Sequence, residues 1–140
     1  MCSERPIKPR EAILRKPWLL PFLAALFRGA DTPRDVSDLL GCSRKLAVSG
    51  LYMIDKMNVK LDAIDFCVLR WKSWFAARIG SVYIVAKVGK RRVKAYTVPS
   101  FLLSKAEVGG KLGYRAGIVK KILDNGVKFA GCEEGIKTKK

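Results

Sequence analysis

The clearest folding signals in this chain of 140 residues lie in the stretch Thr32-Pro-Arg-Asp-Val-Ser-Asp-Leu-Leu-Gly-Cys-Ser-Arg-Lys-Leu-Ala-Val-Ser49. Its first four residues supply an N-cap hydroxyl, a proline at the first helical position and a carboxylate at the third, which predicts a helix start. Gly41 is expected to end this helix. Ser43 then caps a second helix that is expected to run to about residue 57. The three-residue connection predicts a sharp corner between the two helices.

Residues 82–98 form a second informative segment, because the hydrophobic period changes there to two. This alternation predicts two β-strands joined at Gly89-Lys90 by a two-residue hairpin turn. On that register one face is mostly apolar. The other face pairs Lys87 with Arg92, Val85 with Lys94, and Tyr83 with Tyr96. A four-residue turn would leave the same residues on each face, whereas a three-residue turn would mix them.

The hairpin is strongly basic between positions 87 and 94 and has no acidic residue there. Its cations are Lys87, Lys90, Arg91, Arg92 and Lys94. Dense positive charge on a protruding tip suits phosphate oxygens, because each neutralised phosphate releases condensed counterions. The alternative is that these cations only protect a sheet edge from aggregation. For Tyr83 and Tyr96 there are two separate alternatives, stacking on bases or riboses and a plain cross-strand aromatic pair.

The two-helix segment resembles the helix-turn-helix of winged-helix DNA-binding proteins, in which a short helix ends in Leu-Gly-hydrophobic-Ser. Leu40-Gly-Cys-Ser43 matches that junction residue by residue. The resemblance implies that the second helix enters the major groove, with Arg44, Lys45 and Ser49 near base edges and phosphates. It also implies that the hairpin is the wing. This sequence departs from the family in an unusually apolar second helix and a long link, 58–81, to the hairpin.

The other segments give weaker signals. Apolar spacings of three and four at 61–79 favour a helix, although a strand over 66–71 competes. The remaining expected elements are a basic arm at 1–16 with a short helix at 11–16, an apolar helix at 17–28, a short helix at 101–108, a C-terminal helix at about 114–124 and a basic tail at 132–140.

Together these segments predict an α+β fold that is mostly helical. It would be a single winged-helix-like domain at 17–131, with a helix-turn-helix core, one basic β-hairpin at 82–98 and the C-terminal helix. The apolar stretch Trp18–Phe27 is too short to span a bilayer, which needs about 20 residues. We therefore expect no membrane association.

The charge balance indicates a polyanionic partner. The chain has 28 Lys and Arg against 12 Asp and Glu, a formal net charge of +16. Residues 1–65 carry 11 basic and 8 acidic groups, whereas residues 66–140 carry 17 and 4. Self-repulsion of this size weakens a fold unless a polyanion relieves it, so nucleic acid is the expected partner.

The same composition argues against catalysis. There is no histidine, which removes the usual general base near neutral pH and the commonest metal ligand. Asp62 and Asp65 would be neighbours on a helix, but nothing nearby completes a metal site, and acids at a helix N-terminus explain them. We expect no catalytic residue, no metal and no cofactor.

Cysteine and amide usage bears on the cellular setting. Cys2, Cys42, Cys67 and Cys132 contain no C-x-x-C pair, so reduced, apolar cysteines in an intracellular protein are expected. Gln is absent and Asn occurs twice, a composition typical of hyperthermophiles. In such organisms intracellular disulfides do form, which leaves Cys42–Cys67 or another pair open.

The sequence thus predicts a non-catalytic protein that binds double-stranded DNA. A transcription regulator of a hyperthermophilic archaeon or its virus is the preferred reading. The alternatives are an architectural or packaging nucleoprotein that coats DNA without sequence specificity, and an RNA-binding ribonucleoprotein component. A homo-oligomer is expected because DNA sites are symmetric. The expected location is cytoplasmic and nucleoid-associated, or the virion for a viral protein.

Overall fold

The computed structural model describes residues 5–107 and 113–132. Within them the helices are α1 (Pro9–Arg15), α2 (Leu20–Phe27), α3 (Pro33–Leu40), α4 (Arg44–Lys56), α5 (Phe101–Glu107) and α6 (Tyr114–Asn125), with a 3₁₀ turn at Pro17–Leu19. The strands are β1 (Val68–Trp71), β2 (Trp74–Ile79), β3 (Val82–Val88), β4 (Val93–Pro99) and β5 (Val127–Ala130). The predicted basic tail beyond Cys132 lies outside the described residues.

The five strands form one antiparallel sheet in the order β4-β3-β2-β1-β5. Strands β1 to β4 follow one another as a meander, and β5 returns after α6 to pair with β1. The turn at Lys72-Ser73 and the β3–β4 connection lie at the same end of the sheet, where the Val88 N–H donates to the Ser73 carbonyl at 2.9 Å. The Gly80-Ser81 turn lies at the opposite end.

Residues 61–79 do not form the expected helix, and this is the main error in the predicted fold. They contain β1 and β2 instead, so the protein is α+β but is not a mostly helical fold with a single hairpin. The sheet is covered on both faces, and apolar side chains therefore point both ways along its strands. Double burial produces apolar spacings that imitate a helix. The competing strand at 66–71 was the better alternative.

Two hydrophobic cores flank the sheet. The larger one joins α1–α4 to side chains such as Phe75 and Ile84. The smaller one joins α6 and residues of α5 to the opposite face, where Ala76, Val85 and Val98 are buried. The expected N-terminal arm belongs to the first core, because Ala12 and Ile13 of α1 are fully buried.

The two-helix segment that begins at Thr32 folds as its capping residues predicted. The Thr32 hydroxyl accepts from the Asp35 N–H at 3.1 Å, and the Ser43 hydroxyl accepts from the Leu46 N–H at 3.1 Å. Gly41 ends α3 with a φ of 75°, a left-handed conformation that glycine adopts without strain. These local signals were sufficient because each depends on residues no more than three or four apart.

The β3–β4 hairpin forms, but on a register shifted by two residues. Val88 pairs with Val93 rather than with Arg91, and Lys87 pairs with Lys94. Four residues join the strands, and the Gly89 N–H donates to the Arg92 carbonyl at 2.8 Å, which places Lys90 and Arg91 at the apex. Because the connection still has an even number of residues, each side chain keeps its predicted face.

A disulfide joins Cys67, just before β1, to Cys132, just after β5. The expectation that the cysteines are reduced is therefore wrong for this pair, and the suggested Cys42–Cys67 pairing does not occur. Cys42 is a buried free thiol, and its burial raises its pKa. Cysteine spacing alone could not select the pair, because the bridge spans 65 positions and depends on the strand order.

Candidate nucleic-acid interface

The first turn of α4 and the apex of the β3–β4 hairpin lie side by side. The Ser43 N–H, at the N-cap of α4, donates to the Lys90 carbonyl at 2.7 Å. Beside this contact is an open groove of about 500 Å³ lined by Ser43, Lys45, Leu46, Ser49 and Arg91. Lys45, Ser49 and Arg91 were all predicted as nucleic-acid-binding residues, and the fold brings these three together.

Helix α4 has an exposed face that adjoins the groove. Ala47, Gly50 and Ile54 are buried toward the core. The opposite face carries side chains of mixed chemistry, namely Arg44, Lys45, Val48, Ser49 and Tyr52. The sequence analysis did not identify Val48 and Tyr52 as exposed residues, because apolar residues occur on nearly every side of this helix. Val48 lies three residues after Lys45 and Tyr52 three residues after Ser49, and this helical spacing was the signal that could have identified them.

The electrostatics of α4 favour an anion at this end. Its first turn contains Arg44 and Lys45 and no acidic residue. The N-terminus of a helix already carries partial positive charge, so two cations there are unfavourable unless an anion lies nearby. Lys90, Arg91 and Arg92 at the hairpin apex are exposed and add charge of the same sign.

Lys87 and Lys94 lie on the opposite face of the hairpin from α4. They are exposed and stand directly across from each other on neighbouring strands, an arrangement that destabilises a sheet by like-charge repulsion. The Lys87 ammonium lies 5.4 Å from the Trp74 ring centroid. The predicted basic hairpin therefore presents cations in two directions, the apex toward α4 and this pair toward the α6 side.

Neither predicted stacking tyrosine reaches the groove. Tyr83 is half-buried and pairs with Val98, near the far end of the sheet. Tyr96 packs in the smaller core, where its ring contacts Trp74 at 6.4 Å between centroids and its hydroxyl is buried without a described hydrogen-bond partner. Burial raises the Tyr96 pKa, as does nearby Tyr114, and Arg115 opposes them. The two rings form no cross-strand pair with each other.

A second cationic turn lies at the same end of the sheet and was not predicted. Lys72, in the β1–β2 turn, is exposed and has a φ of 59°, which is uncommon outside glycine. Its ammonium lies 4.9 Å from the Trp71 ring centroid. This turn is hard to predict from the sequence, because Lys72-Ser73 lacks the Gly, Asn or Pro that usually marks a turn.

The acidic residues considered for a metal site are placed elsewhere. Asp62 and Asp65 lie in the connection before β1 rather than on a helix, and Asp65 forms an ion pair with Arg10 at 3.1 Å. Over residues 5–107 and 113–132, no three His, Cys, Asp or Glu residues gather as metal ligands would. In that same part of the chain, every helix is too short or too polar to cross a membrane.

Comparison with known proteins identified no relative of this chain. No protein-family model matches the chain, and neither a curated protein nor a solved structure matches it. The resemblance to winged-helix proteins therefore stays a prediction from residues 32–49.

Proposed function

We propose that this protein binds double-stranded DNA without catalysing a reaction on it, and that it acts as a transcription regulator. The hydrogen bond from Ser43 to Lys90 carries the proposal, because it sets the hairpin apex beside the first turn of α4. Cations from two distant parts of the sequence thereby border one open groove. Such a surface offers a phosphate backbone several contacts at once.

The exposed face of α4 supports base reading in addition to phosphate binding. Lys45 and Ser49 supply hydrogen-bonding groups, and Val48 supplies an apolar surface of the kind that contacts the thymine methyl group. The major groove of B-DNA admits an α-helix, whereas the deep, narrow major groove of duplex RNA does not. These features favour duplex DNA over duplex RNA.

The same face favours a regulator over a packaging protein. A protein that coats DNA of any sequence needs phosphate contacts and no base contacts. Here the polar and apolar side chains of α4 stand beside the cations, which is the arrangement a sequence-reading surface requires. Packaging remains the competing function, and stoichiometric coating of random DNA would identify it.

Replacing both Arg91 and Arg92 by alanine tests the proposal at the hairpin. We expect weaker binding to every duplex, because apex cations contact phosphates rather than bases. The slope of log K against log salt should become shallower by about 2, since each neutralised phosphate contributes about 0.9. The measurement is a fluorescence-anisotropy titration of a random-sequence duplex at several salt concentrations.

The matched control is the K60A/R78A variant, which removes the same charge away from the groove. Lys60 lies near Asp62 and Asp65 in a separate cleft, and Arg78 lies beside the turn at the opposite end of the sheet. This variant should keep the wild-type slope. Unchanged affinity in R91A/R92A, or equal losses in both variants, would contradict the assigned interface.

A further inference from the structure

Two arginines outside the groove share one aromatic ring. The guanidinium carbon of Arg28, at the end of α2, lies 4.7 Å from the ring centroid of Phe129, and that of Arg70, on β1, lies 5.5 Å from it. Arg70 also lies 5.1 Å from the Phe75 ring centroid. The end of α2 and strand β1 thus place two cations, 42 positions apart in the sequence, over one ring of β5.

Backbone carbonyls hold both side chains in place. Arg28 Nη1 donates to the Phe129 carbonyl at 3.1 Å. Arg70 Nε donates to the Lys72 carbonyl at 3.1 Å, and its Nη1 donates to the Leu39 carbonyl at 3.0 Å. Each guanidinium has further N–H groups that these bonds do not use. Arg28 is exposed and Arg70 half-buried, so this arginine pair is open to solvent.

No carboxylate neutralises the arginine pair among the described residues. The two ion pairs found there join Arg10 to Asp65 and Lys120 to Asp124. Burial lowers the pKa of Arg70, and the charge of Arg28 lowers it further. Two neighbouring like charges, of which Arg70 is partly desolvated, are unfavourable in isolation, and an anion between them would remove that cost.

We propose that Arg28 and Arg70 form a phosphate-binding site distinct from the groove. Guanidinium groups that stack on an aromatic ring present their N–H edges in a fixed orientation, and that geometry matches phosphate oxygens. The phosphate would belong either to the nucleic-acid backbone or to a free phosphate ion. If the ligand is a backbone phosphate, the site extends the nucleic-acid interface from the hairpin end of the sheet toward β5. This assignment of the ligand rests on the proposed function.

The first test uses inorganic phosphate and the R28Q variant. Arg28 is the better position to change, because Arg70 also bridges to α3 through Leu39. Arg78 provides a matched control, since its Nε donates to the Gly80 carbonyl two residues on and its guanidinium lies over Tyr83. Calorimetric titration at constant ionic strength should show about tenfold weaker phosphate binding in R28Q and no change in R78Q, as expected for a lost charge-assisted hydrogen bond.

The second test measures duplex DNA binding over a salt series with the same variants. A slope that becomes shallower by about 0.9 in R28Q alone identifies a backbone phosphate as the ligand. An unchanged slope together with weaker phosphate binding in R28Q identifies a free phosphate instead. If R28Q and R78Q behave alike in both titrations, the site is overturned, whatever R91A/R92A does. If the wild type binds no DNA, the proposed function fails while the phosphate titration still decides this inference.

Discussion

At the scale of single residues, the position of α4 depends on Gly50. This glycine faces Phe22 of α2, one of the largest fully buried side chains. A Cβ atom at Gly50 would lie 2.5 Å from Phe22 Cγ, closer than packed atoms tolerate. The absence of a side chain therefore lets α4 approach α2, and this approach helps to set the helix whose other face borders the groove.

Replacing Gly50 by alanine should destabilise the protein. Alanine is the better helix former by about 1 kcal/mol, but here its methyl group would overlap a buried ring. Overpacking of this kind typically costs about 1–3 kcal/mol, of which the propensity gain offsets about 1 kcal/mol, so we expect the free energy of unfolding to fall by up to about 2 kcal/mol. Urea denaturation followed by tryptophan fluorescence measures the change.

Gly117 of α6 is the matched control, because a Cβ atom there would meet nothing within 4 Å. The G117A variant should gain about 0.5–1 kcal/mol from helix propensity alone. Opposite signs for the two variants are the expected result. A gain in G50A equal to that in G117A would show that Phe22 moves aside and that Gly50 does not position α4.

The sequence predicted a residue's role correctly where the interactions of that residue are local. The caps at Thr32 and Ser43 and the left-handed Gly41 were predicted correctly because their hydrogen bonds and dihedral angles depend on neighbours in sequence. Val48 and Tyr52 were missed because their exposure depends on which helices pack against α4. Tyr96 was expected on a surface, but it packs in the smaller core. The residues next to Tyr96 in the sequence do not indicate that α6 covers this face of the sheet.

At the scale of secondary-structure elements, two-sided burial explains the largest error. Strands β1 and β2 show no clean alternation, because Phe75 and Ala77 face one core while Trp74 and Ala76 face the other. Strand β5 has four residues, of which only Phe129 and Ala130 are buried, and so it has no readable period. The hairpin at 82–98 was found because one of its faces keeps polar residues.

The edge strand β5 should depend on the disulfide between Cys67 and Cys132. The bridge joins the C-terminal end of β5 to the start of β1, and the pairing of these two strands covers three residue pairs and includes a register shift. Closing a loop of this length is expected to stabilise the fold by about 4 kcal/mol, chiefly by restricting the unfolded chain. Reduction should therefore lower the midpoint of urea denaturation markedly.

Two cysteine variants isolate this effect. The C67A/C132A variant should match the reduced wild type and should not respond to a reductant. The C42A variant should keep the full response, because Cys42 is a free thiol. The role assigned to the bridge is excluded if the fully reduced wild type, verified by mass spectrometry, has the denaturation midpoint of the oxidised protein.

At the scale of the whole molecule, the two halves of the chain differ both in net charge and in the elements that they form. The net charge of +13 in residues 66–140 belongs to the part that builds the sheet, α5 and α6, whereas residues 1–65, with +3, build α1–α4. Composition therefore indicates a polyanionic partner, and this partner stays a prediction. Composition could not predict the groove, because the groove depends on a contact between Ser43 and Lys90 that only the fold creates.

Binding of double-stranded DNA is tested first by a salt-series titration of the wild-type protein on random-sequence duplex DNA, with duplex RNA and single-stranded DNA as comparison ligands. We expect duplex DNA to be the preferred ligand, with an affinity that falls steeply as the salt concentration rises and with no fixed stoichiometry at physiological salt. Saturation at a constant number of base pairs per protein would contradict the regulator and indicate packaging. Failure to bind duplex DNA even at low salt would contradict the proposed function itself.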